Sequence, residues 1–227
     1  MKASDIAKRI YPSVVTFRGD WERMIRDVKR LKICEFSLFL TGANSTVRKR
    51  IYQRLEKLEI KRIVHVHLRH DMTEAEIKYL ASRYGVKVFT IHYSHNEKYQ
   101  PSQFCRQMFV ENNWLKYLEI KQPNIKKFGG ICLDLSHLLV IMDNRPGNLE
   151  TTKEAIKNYK IGCNHVSEVR KNLVSHHQAT SFHDFDYLAK LPKKYFSNYV
   201  CLEITNSIPE QLKFKKYIAK ILAKNWK

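Results

Sequence analysis

Residues 130–137, with the sequence GICLDLSH, constrain the fold of this chain more than any other segment. The apolar run fits a strand that is buried on both faces, and it leads into Asp134, with His137 three residues later. Strands that end in metal-binding or catalytic side chains are typical of α/β folds, in which the site lies at the carboxyl ends of the strands. The same pattern recurs along the chain, and the sequence therefore predicts an α/β protein.

Eight segments are strand candidates, and each is followed by a helix or a helix-sized segment. The strands are predicted at residues 14–17, 33–39, 63–68, 86–93, 106–110, 130–137, 161–166 and 199–204. Helices are predicted at residues 20–31, 44–58, 73–84, 114–120, 149–159, 184–191 and 209–224, with short or irregular helices after strands four and five. Eight such units predict one (β/α)8 TIM barrel domain spanning residues 1–227. A doubly wound open sheet is the alternative, but the chain has only 7 glycines and no glycine-rich phosphate loop.

The fifth strand has two possible positions. We place it at residues 106–110, where it leads into Glu111. A strand at residues 117–121 would leave too little chain before Gly130 for a crossover helix, which needs roughly ten residues or more. The position that ends in Glu111 is therefore preferred.

Two further patterns predict local structure. Thr73 and Glu76 have the spacing of a capping box at the start of a helix. Residues 143–148, with the sequence DNRPGN, are predicted to form a mobile flap ahead of the helix at residues 149–159.

The charge balance predicts anionic partners. The chain has 41 Lys and Arg against 22 Asp and Glu, a formal net charge of +19, which attracts sugar phosphates or nucleic acid. Many of the basic residues fall on predicted helix faces, where solvated surface is the ordinary explanation. We expect an anionic small molecule, such as a sugar phosphate, as the substrate, with nucleic acid as the alternative partner.

The sequence also excludes several classes of protein. No run of about 18 apolar residues occurs, and the N-terminus lacks the apolar centre of a secretory signal. The five cysteines are an odd number without CxxC spacing, which argues against a disulfide framework and a thiolate zinc site. We expect a soluble, cytoplasmic protein with no membrane partner.

Metal-type ligands stand at the ends of the last four predicted strands: Glu111, Asp134, His165 and Glu203. Neighbouring strands of a barrel bring such residues within reach of one ion, although they are far apart in sequence. Three carboxylates and one imidazole suit Mn²⁺, Mg²⁺, Co²⁺ or Zn²⁺. The sequence therefore predicts a divalent-metal site in the mouth of the barrel.

The motifs around these residues, FVENNW, GGICLDLSH, GCNHVSEVR and YVCLEITN, resemble the xylose-isomerase-like barrel superfamily. That group includes sugar and sugar-phosphate isomerases and epimerases as well as phosphodiesterases of the endonuclease IV type. The resemblance implies that the four strand-end residues are the metal ligands. It also matches Glu35, in ICEFSL, to an acid at the end of strand two that contacts the substrate.

Within the epimerase branch, the resemblance gives the two glutamates a second role. Glu111 and Glu203 would exchange a proton with the carbon beside a carbonyl, through a metal-stabilised enediolate. His137 would contact a substrate oxygen, and Arg170 would hold a hydroxyl or phosphate group. A metal-dependent sugar or sugar-phosphate isomerase or epimerase is the first functional expectation.

The endonuclease IV branch is the second expectation, because it adds histidines that build a trinuclear zinc cluster for phosphodiester hydrolysis. Matching candidates on this chain are His65 or His67, His92, His137 and His177. Ser175 stands where that branch has an acid, which argues against a complete trinuclear site. A barrel that binds a ligand without catalysis is the third expectation, since short loops after strands four and five would leave a shallow pocket.

Overall fold

The computed structural model describes residues 1–92, 102–112, 125–144, 146–170 and 177–226. Within these residues the chain forms a single parallel sheet with helices in the connections. Its strands are β1 (Ile10–Tyr11), β2 (Ser13–Val15), β3 (Glu35–Phe39), β4 (Arg62–His67), β5 (Phe89–His92), β6 (Met108–Glu111), β7 (Gly130–Asp134), β8 (Ile161–Val166) and β9 (Val200–Leu202). The prediction of an α/β fold is confirmed.

The sheet is a nearly closed parallel barrel. From β2 to β9 each strand pairs with the next along the chain, and β1 pairs with β9. Only Pro12 separates β1 from β2, so the two ends of the sheet are one residue apart in sequence. Proline has no N–H for the ladder, but the Pro12 carbonyl accepts a hydrogen bond of 2.9 Å from the Ser37 amide of β3.

The α-helices are α1 (Ala3–Ala7), α2 (Trp21–Arg30), α3 (Ser45–Leu55), α4 (Glu74–Tyr84), α5 (Leu135–Asn144), α6 (Pro146–Asn158) and α7 (Ile208–Asn225). The capping box of Thr73 and Glu76 is confirmed at the start of α4. Apolar residues on one face of each helix, such as Met24 of α2 and Ile51 of α3, pack with the strands in the core. None of the helices within the described residues is long and apolar enough to cross a membrane.

Several boundaries differ from the predictions. The first strand, predicted at residues 14–17, instead comprises β1 and β2. The predicted flap at residues 143–148 is wrong, because α5 reaches Asn144 and α6 begins at Pro146, a residue well suited to a first helical turn. The helix predicted at residues 184–191 is the 3₁₀ helix Phe182–Lys190.

The connections after the fourth and fifth predicted strands lie largely outside the described residues. Short 3₁₀ helices, Cys105–Gln107 and Ile125–Lys127, precede β6 and β7. The fifth strand is β6, which ends at Glu111 as preferred. The helix at residues 114–120 and the competing strand at residues 117–121 both lie outside the described part of the chain.

Candidate metal centre

The structure brings the four strand-end residues together. Glu111, Asp134, His165 and Glu203 each offer a ligand atom within 4.8 Å of those of the other three. They lie at or next to the carboxyl ends of β6, β7, β8 and β9, which are consecutive in the sheet. All four side chains are buried, so the cluster is a small polar centre inside an apolar barrel.

Asp134 is held by its position between a strand and a helix. Its Oδ1 atom accepts hydrogen bonds of 2.8 Å from the backbone amides of Ser136 and His137, in the first turn of α5. This is helix capping, and it explains why the strand predicted to continue to residue 137 ends at Asp134. The second oxygen, Oδ2, is buried without a hydrogen-bond partner among the described residues. Capping thus fixes the carboxylate and leaves one oxygen for the centre.

Two residues beneath His165, namely His65 and Thr90, orient its ring. The sequence analysis assigned this role to neither of them. Its Nε2 atom lies 3.2 Å from Nε2 of His65, which lies 2.8 Å from Oγ1 of Thr90. Burial lowers the pKa of both imidazoles well below the ordinary value, so both are neutral. The Nδ1 atom of His165 faces Oε2 of Glu203 at 3.4 Å and Oε1 of Glu111 at 4.0 Å.

Glu111 lies at the middle of the histidines. Its Oε2 atom is 2.8 Å from Nε2 of His67 and 3.5 Å from Nε2 of His92, and its Oε1 atom is 3.3 Å from Nδ1 of His137. Burial alone would raise the pKa of this carboxyl, but hydrogen bonds to His137 and His67 hold it well below its usual range. The Glu111 side chain is therefore an ionised carboxylate with nitrogen atoms facing both oxygens.

Glu203 has the opposite electrostatic environment. Burial, reinforced by the charges of Glu111 and Asp134, raises the pKa of its carboxyl well above the ordinary value. Its Oε2 atom is buried and makes no hydrogen bond with the described residues. Within the described residues, the ion pairs of Glu111, Asp134 and Glu203 are all with histidines and not with Lys or Arg.

The donor set fits a divalent cation. Three of its buried atoms, Asp134 Oδ2, His165 Nδ1 and Glu203 Oε2, make no hydrogen bond within the described residues. Buried polar atoms in proteins are nearly always paired, so these three atoms are candidate ligands for a cation. Oxygen and imidazole ligands in this ratio suit Mn²⁺, Mg²⁺, Co²⁺ or Zn²⁺.

Two further groups of potential ligands overlap the first. His67, Glu111 and His165 also lie with their ligand atoms within 4.8 Å of one another, as do His65, Cys163 and His165. The Nδ1 atom of His67 lies 3.2 Å from the Leu68 carbonyl, which directs Nε2 toward Glu111. Cys163 stands two residues before His165 and so shares its face of β8, a spacing that could have placed it near the centre from sequence.

The other predicted site residues fall into different places. His177 lies beside the centre, where its Nδ1 atom donates a 3.0 Å hydrogen bond to the backbone carbonyl of Glu203. Arg170 follows β8 and donates from Nη2 to the Gln178 carbonyl at 3.0 Å. Ser175 lies outside the described residues.

The placement of Glu35 at the substrate end of a strand is wrong. Glu35 is the first residue of β3, which runs from there to Phe39, so it lies at the amino-terminal end of the sheet. Its carboxylate pairs with Nη2 of Arg62 at 3.2 Å and with Nζ of Lys61 at 3.8 Å. It therefore lies at the opposite end of the strands from the metal ligands.

Comparison with known proteins adds little to this picture. Neither a protein-family model nor a curated protein matches the chain. Among solved structures, the chain is similar to the crystal structure of an uncharacterized protein from Parabacteroides distasonis, at 12% sequence identity and a TM-score of 0.43, over 95% of this chain and 99% of that chain. A TM-score this low supports no conclusion about the fold or the function of this chain.

Proposed function

We propose that the chain is a (β/α)8 barrel of the xylose-isomerase-like type that holds two or more divalent cations and hydrolyses phosphodiesters. Counted as one strand interrupted at Pro12, β1 and β2 reduce the nine strands to eight. The observation that carries the proposal is the position of Glu111, whose two oxygens face His67 and His137 at 2.8 and 3.3 Å. If more than one cation binds here, each oxygen of Glu111 would be available as a ligand.

The number of ligands supports more than one cation. Four protein ligands fill a tetrahedral site, and the cluster of Glu111, Asp134, His165 and Glu203 already supplies four. His67 and His92 reach the far oxygen of Glu111, beyond what a single ion needs. We assign these two imidazoles, with Glu111, to a second cation.

The charge of the centre favours an anionic substrate. With all three carboxyl groups ionised, as metal ligands would be, the cluster carries −3, so one divalent cation would leave −1 and two would give +1 (−3 + 2 + 2). A centre with a net positive charge attracts a phosphodiester, and the formal +19 of the chain adds long-range attraction. When bound, the cations would supply polarisation of the phosphoryl group and activation of a water nucleophile.

His137 is the residue best placed to contact the substrate directly. Its Nδ1 atom lies 3.3 Å from Glu111 Oε1 and 3.4 Å from Asp134 Oδ2, and 26% of its side chain is exposed. The ring therefore stands at the rim of the buried centre. From there it can donate a hydrogen bond to a phosphate oxygen while the acids beneath hold the cations.

The test combines metal content with hydrolysis. We expect the purified chain, loaded with Zn²⁺ or Mn²⁺ and dialysed, to retain two or more ions by mass spectrometry and to cleave bis(p-nitrophenyl) phosphate and abasic-site DNA. Replacing His67 and His92 together with Ala should remove one ion and abolish cleavage. The exposed His183, paired with Asp186 at 2.9 Å, provides the control substitution, which should change neither readout. One ion per wild-type chain with no cleavage of either substrate contradicts the proposal.

A single-metal sugar or sugar-phosphate isomerase or epimerase is the second candidate, and one observation favours it. Oε1 of Glu111 and Oε2 of Glu203 both approach Nδ1 of His165, at 4.0 and 3.4 Å, so the two carboxyl groups lie close to each other beside one imidazole. Carboxylates on two sides of a substrate carbon could remove a proton from one face and return it to the other.

Deuterium exchange distinguishes this candidate from the hydrolase. A chain with one bound ion that incorporates solvent deuterium beside the carbonyl of a ketose or ketose phosphate, detected by NMR, would establish the isomerase. Exchange should disappear in Glu111→Gln and in Glu203→Gln separately. Bound metal without exchange or hydrolysis would leave the ligand-binding barrel as the remaining expectation.

A further inference from the structure

A second basic surface lies at the amino-terminal ends of the strands, away from the metal centre. Two neighbouring cavities of about 400 and 670 Å³ share Ile161 and Phe196 in their linings, and we call the two together the basal groove. Residues just before β5, β6, β8 and β9 line it. Along β8, Ile161 in the groove and His165 in the centre are four residues apart, a separation of about 13 Å at about 3.3 Å per residue.

The lining of the basal groove is strongly one-sided in charge. Its basic residues are Lys87, Arg106, Lys153, Lys157, Lys160 and Lys194, and no Asp or Glu occurs among the described residues that line either cavity. Lys153 pairs with Glu150 at 2.7 Å, while Arg106 donates to the carbonyls of Lys126 and Phe128 and has no ion pair with an acid among the described residues. Clustered positive charge of this kind marks a surface for phosphate groups.

Cavities elsewhere at this end of the molecule are different, which shows that the pattern does not simply follow from the net charge. The cavity between the ends of α2 and α3 is lined by Lys29, Lys32 and Lys57 but also by Glu59. Its neighbour includes Glu35. The absence of Asp and Glu from its described lining therefore distinguishes the basal groove from these two cavities.

Aromatic side chains accompany the charges. Tyr159, Tyr195, Phe196 and Tyr199 are half-buried in the lining, and the ring of Phe109 lies deeper, against Gly162. A Cβ added at Gly162 would come within 2.0 Å of the Phe109 ring, so glycine is required for the ring to lie there. Phe196 packs against Trp226 and Tyr199 stacks on Tyr11, at centroid distances of 4.8 and 6.3 Å. Partly exposed aromatic rings beside lysines can stack with unpaired bases while the lysines neutralise the phosphates.

We infer that the basal groove binds single-stranded nucleic acid, at a site separate from the metal centre. Charge alone would suit any polyanion, but the half-buried aromatic rings favour a strand whose bases are unpaired. A duplex hides its bases and would contact only the lysines. The inference does not depend on the proposed hydrolase, since none of the lining residues is a candidate metal ligand.

The experiment measures fluorescence anisotropy of an end-labelled oligothymidylate of about 15 nucleotides with the full chain. The groove variant carries Lys157→Glu, Lys160→Glu and Lys194→Glu. We expect its affinity to fall at least about tenfold, with the salt dependence reduced by about 2 in slope, because three phosphate contacts are lost. The control variant, Lys29→Glu, Lys32→Glu and Lys57→Glu, has the same change in net charge and should stay within about twofold of wild type.

A second variant tests stacking separately from charge. Tyr195→Ala should weaken binding of the oligothymidylate about tenfold and leave binding of inorganic polyphosphate unchanged. The groove variant should retain the wild-type melting temperature and whatever hydrolysis of bis(p-nitrophenyl) phosphate the wild type shows. Hydrolysis and oligonucleotide binding are measured separately, so either proposal can be contradicted without affecting the other.

Four outcomes would overturn the inference. They are no binding of the oligothymidylate by wild type at low salt, an equal loss in the groove and control variants, equal affinity for a duplex of the same length, and an unchanged affinity in Tyr195→Ala. The last two would mean that the surface recognises charge alone.

Discussion

Two clusters of buried charge lie in this molecule, and they differ in how completely the chain satisfies them. The first surrounds Arg48, whose side chain is 1% exposed. Its Nη1 donates to Asp71 at 2.8 Å and to the Ala43 carbonyl at 2.9 Å, while Nε and Nη2 donate to the two oxygens of Glu76 at 2.8 and 3.1 Å. The second is the candidate metal centre, where Asp134 Oδ2 and Glu203 Oε2 are buried and make no hydrogen bond with the described residues.

The difference separates a structural cluster from a functional one. Burial would raise the pKa of Glu76, but hydrogen bonds from Arg48 lower it, whereas the pKa of Glu203 is raised by burial and by two neighbouring carboxylates. Folding neutralises the first cluster with its own residues. The second cluster keeps two buried carboxyl oxygens that make no hydrogen bond with the described residues, which is why it is the candidate site. Burial of charge alone therefore does not mark a functional site, whereas a strongly raised pKa beside other acids is typical of one.

The largest effect is expected from Glu203→Gln. Loss of this carboxylate removes a ligand and should reduce turnover of the active substrate about a thousandfold, or about 4 kcal/mol in activation free energy. The thermal midpoint without metal should stay the same or rise, because a buried carboxylate beside two others is removed. Turnover assays and thermal denaturation of the same samples check both. Full turnover by Glu203→Gln, or a large fall in its thermal midpoint without metal, would mean that Glu203 stabilises the fold and does not serve the site.

Arg48→Met should have the reverse effect of Glu203→Gln: a loss of stability without a loss of turnover. The substitution removes the buried partner of Asp71 and Glu76, although Asp71 keeps its ion pair with Arg69 at 2.7 Å, and should lower the free energy of unfolding by about 3 kcal/mol, measured by urea denaturation. Metal content and turnover of the remaining folded protein should not change. Arg83→Met is the matched control, since Arg83 also pairs through Nε and Nη2 with a glutamate, Glu56, but is 49% exposed. If both substitutions destabilise equally, burial is not what makes the Arg48 cluster important.

Metal should stabilise one cluster only. Zn²⁺ or Mn²⁺ at about 100 times its dissociation constant should raise the free energy of unfolding by about 2.7 kcal/mol, through preferential binding to the folded state. The shift should appear in wild type and in Arg48→Met, and it should be lost in Glu111→Gln. Thermal denaturation with and without chelator measures it. An equal shift in Glu111→Gln would place the metal elsewhere.

Acid should weaken the Arg48 cluster in a defined range of pH. Burial would raise the pKa values of Asp71 and Glu76, but the charge and hydrogen bonds of Arg48 lower both. Carboxyls with lowered folded pKa values stabilise the protein fully above their unfolded values of about 4 and lose that contribution as the pH falls through the lowered ones. The stability difference between metal-free wild type and Arg48→Met should thus be constant from about pH 7 to 5 and narrow below about 4. A constant difference down to about pH 3 would contradict this assignment.

The sequence predicted the strands near the metal centre well, for a physical reason. β6, β7, β8 and β9 are short apolar runs, and each leads into a carboxylate or imidazole that an apolar core would otherwise exclude. Chain order and parallel pairing then place those residues side by side. Periodicity and composition carry this information locally, so four distant residues could be grouped without coordinates.

Other features depend on information that a local pattern does not contain. The apolar residues after Asp134 fit a strand or a helix equally, and only the capping hydrogen bonds of its carboxylate decide for α5. Glu35 stands near the start of the strand predicted at residues 33–39, so its misplacement came from the family resemblance and not from the local pattern. Arg48 forms hydrogen bonds with Asp71 and Glu76, which lie 23 and 28 residues away in sequence. No local pattern around Arg48 predicts that pairing.

The smallest effect is expected from Thr90→Val, which tests whether a residue beneath the candidate metal centre contributes to its metal affinity. Thr90 contacts His65, and His65 in turn contacts Nε2 of His165, so the chain of contacts fixes which nitrogen of His165 faces the acids. Because Thr90 acts through two rings, its loss should weaken metal affinity less than tenfold, below the roughly 10- to 100-fold typical of a direct partner of a ligand. Thr90→Ser should restore affinity in a competition titration with a chelator, since the serine hydroxyl can occupy the same position. Equal losses in the Val and Ser variants would show that packing of the methyl group, and not the hydroxyl contact with His65, supports the centre.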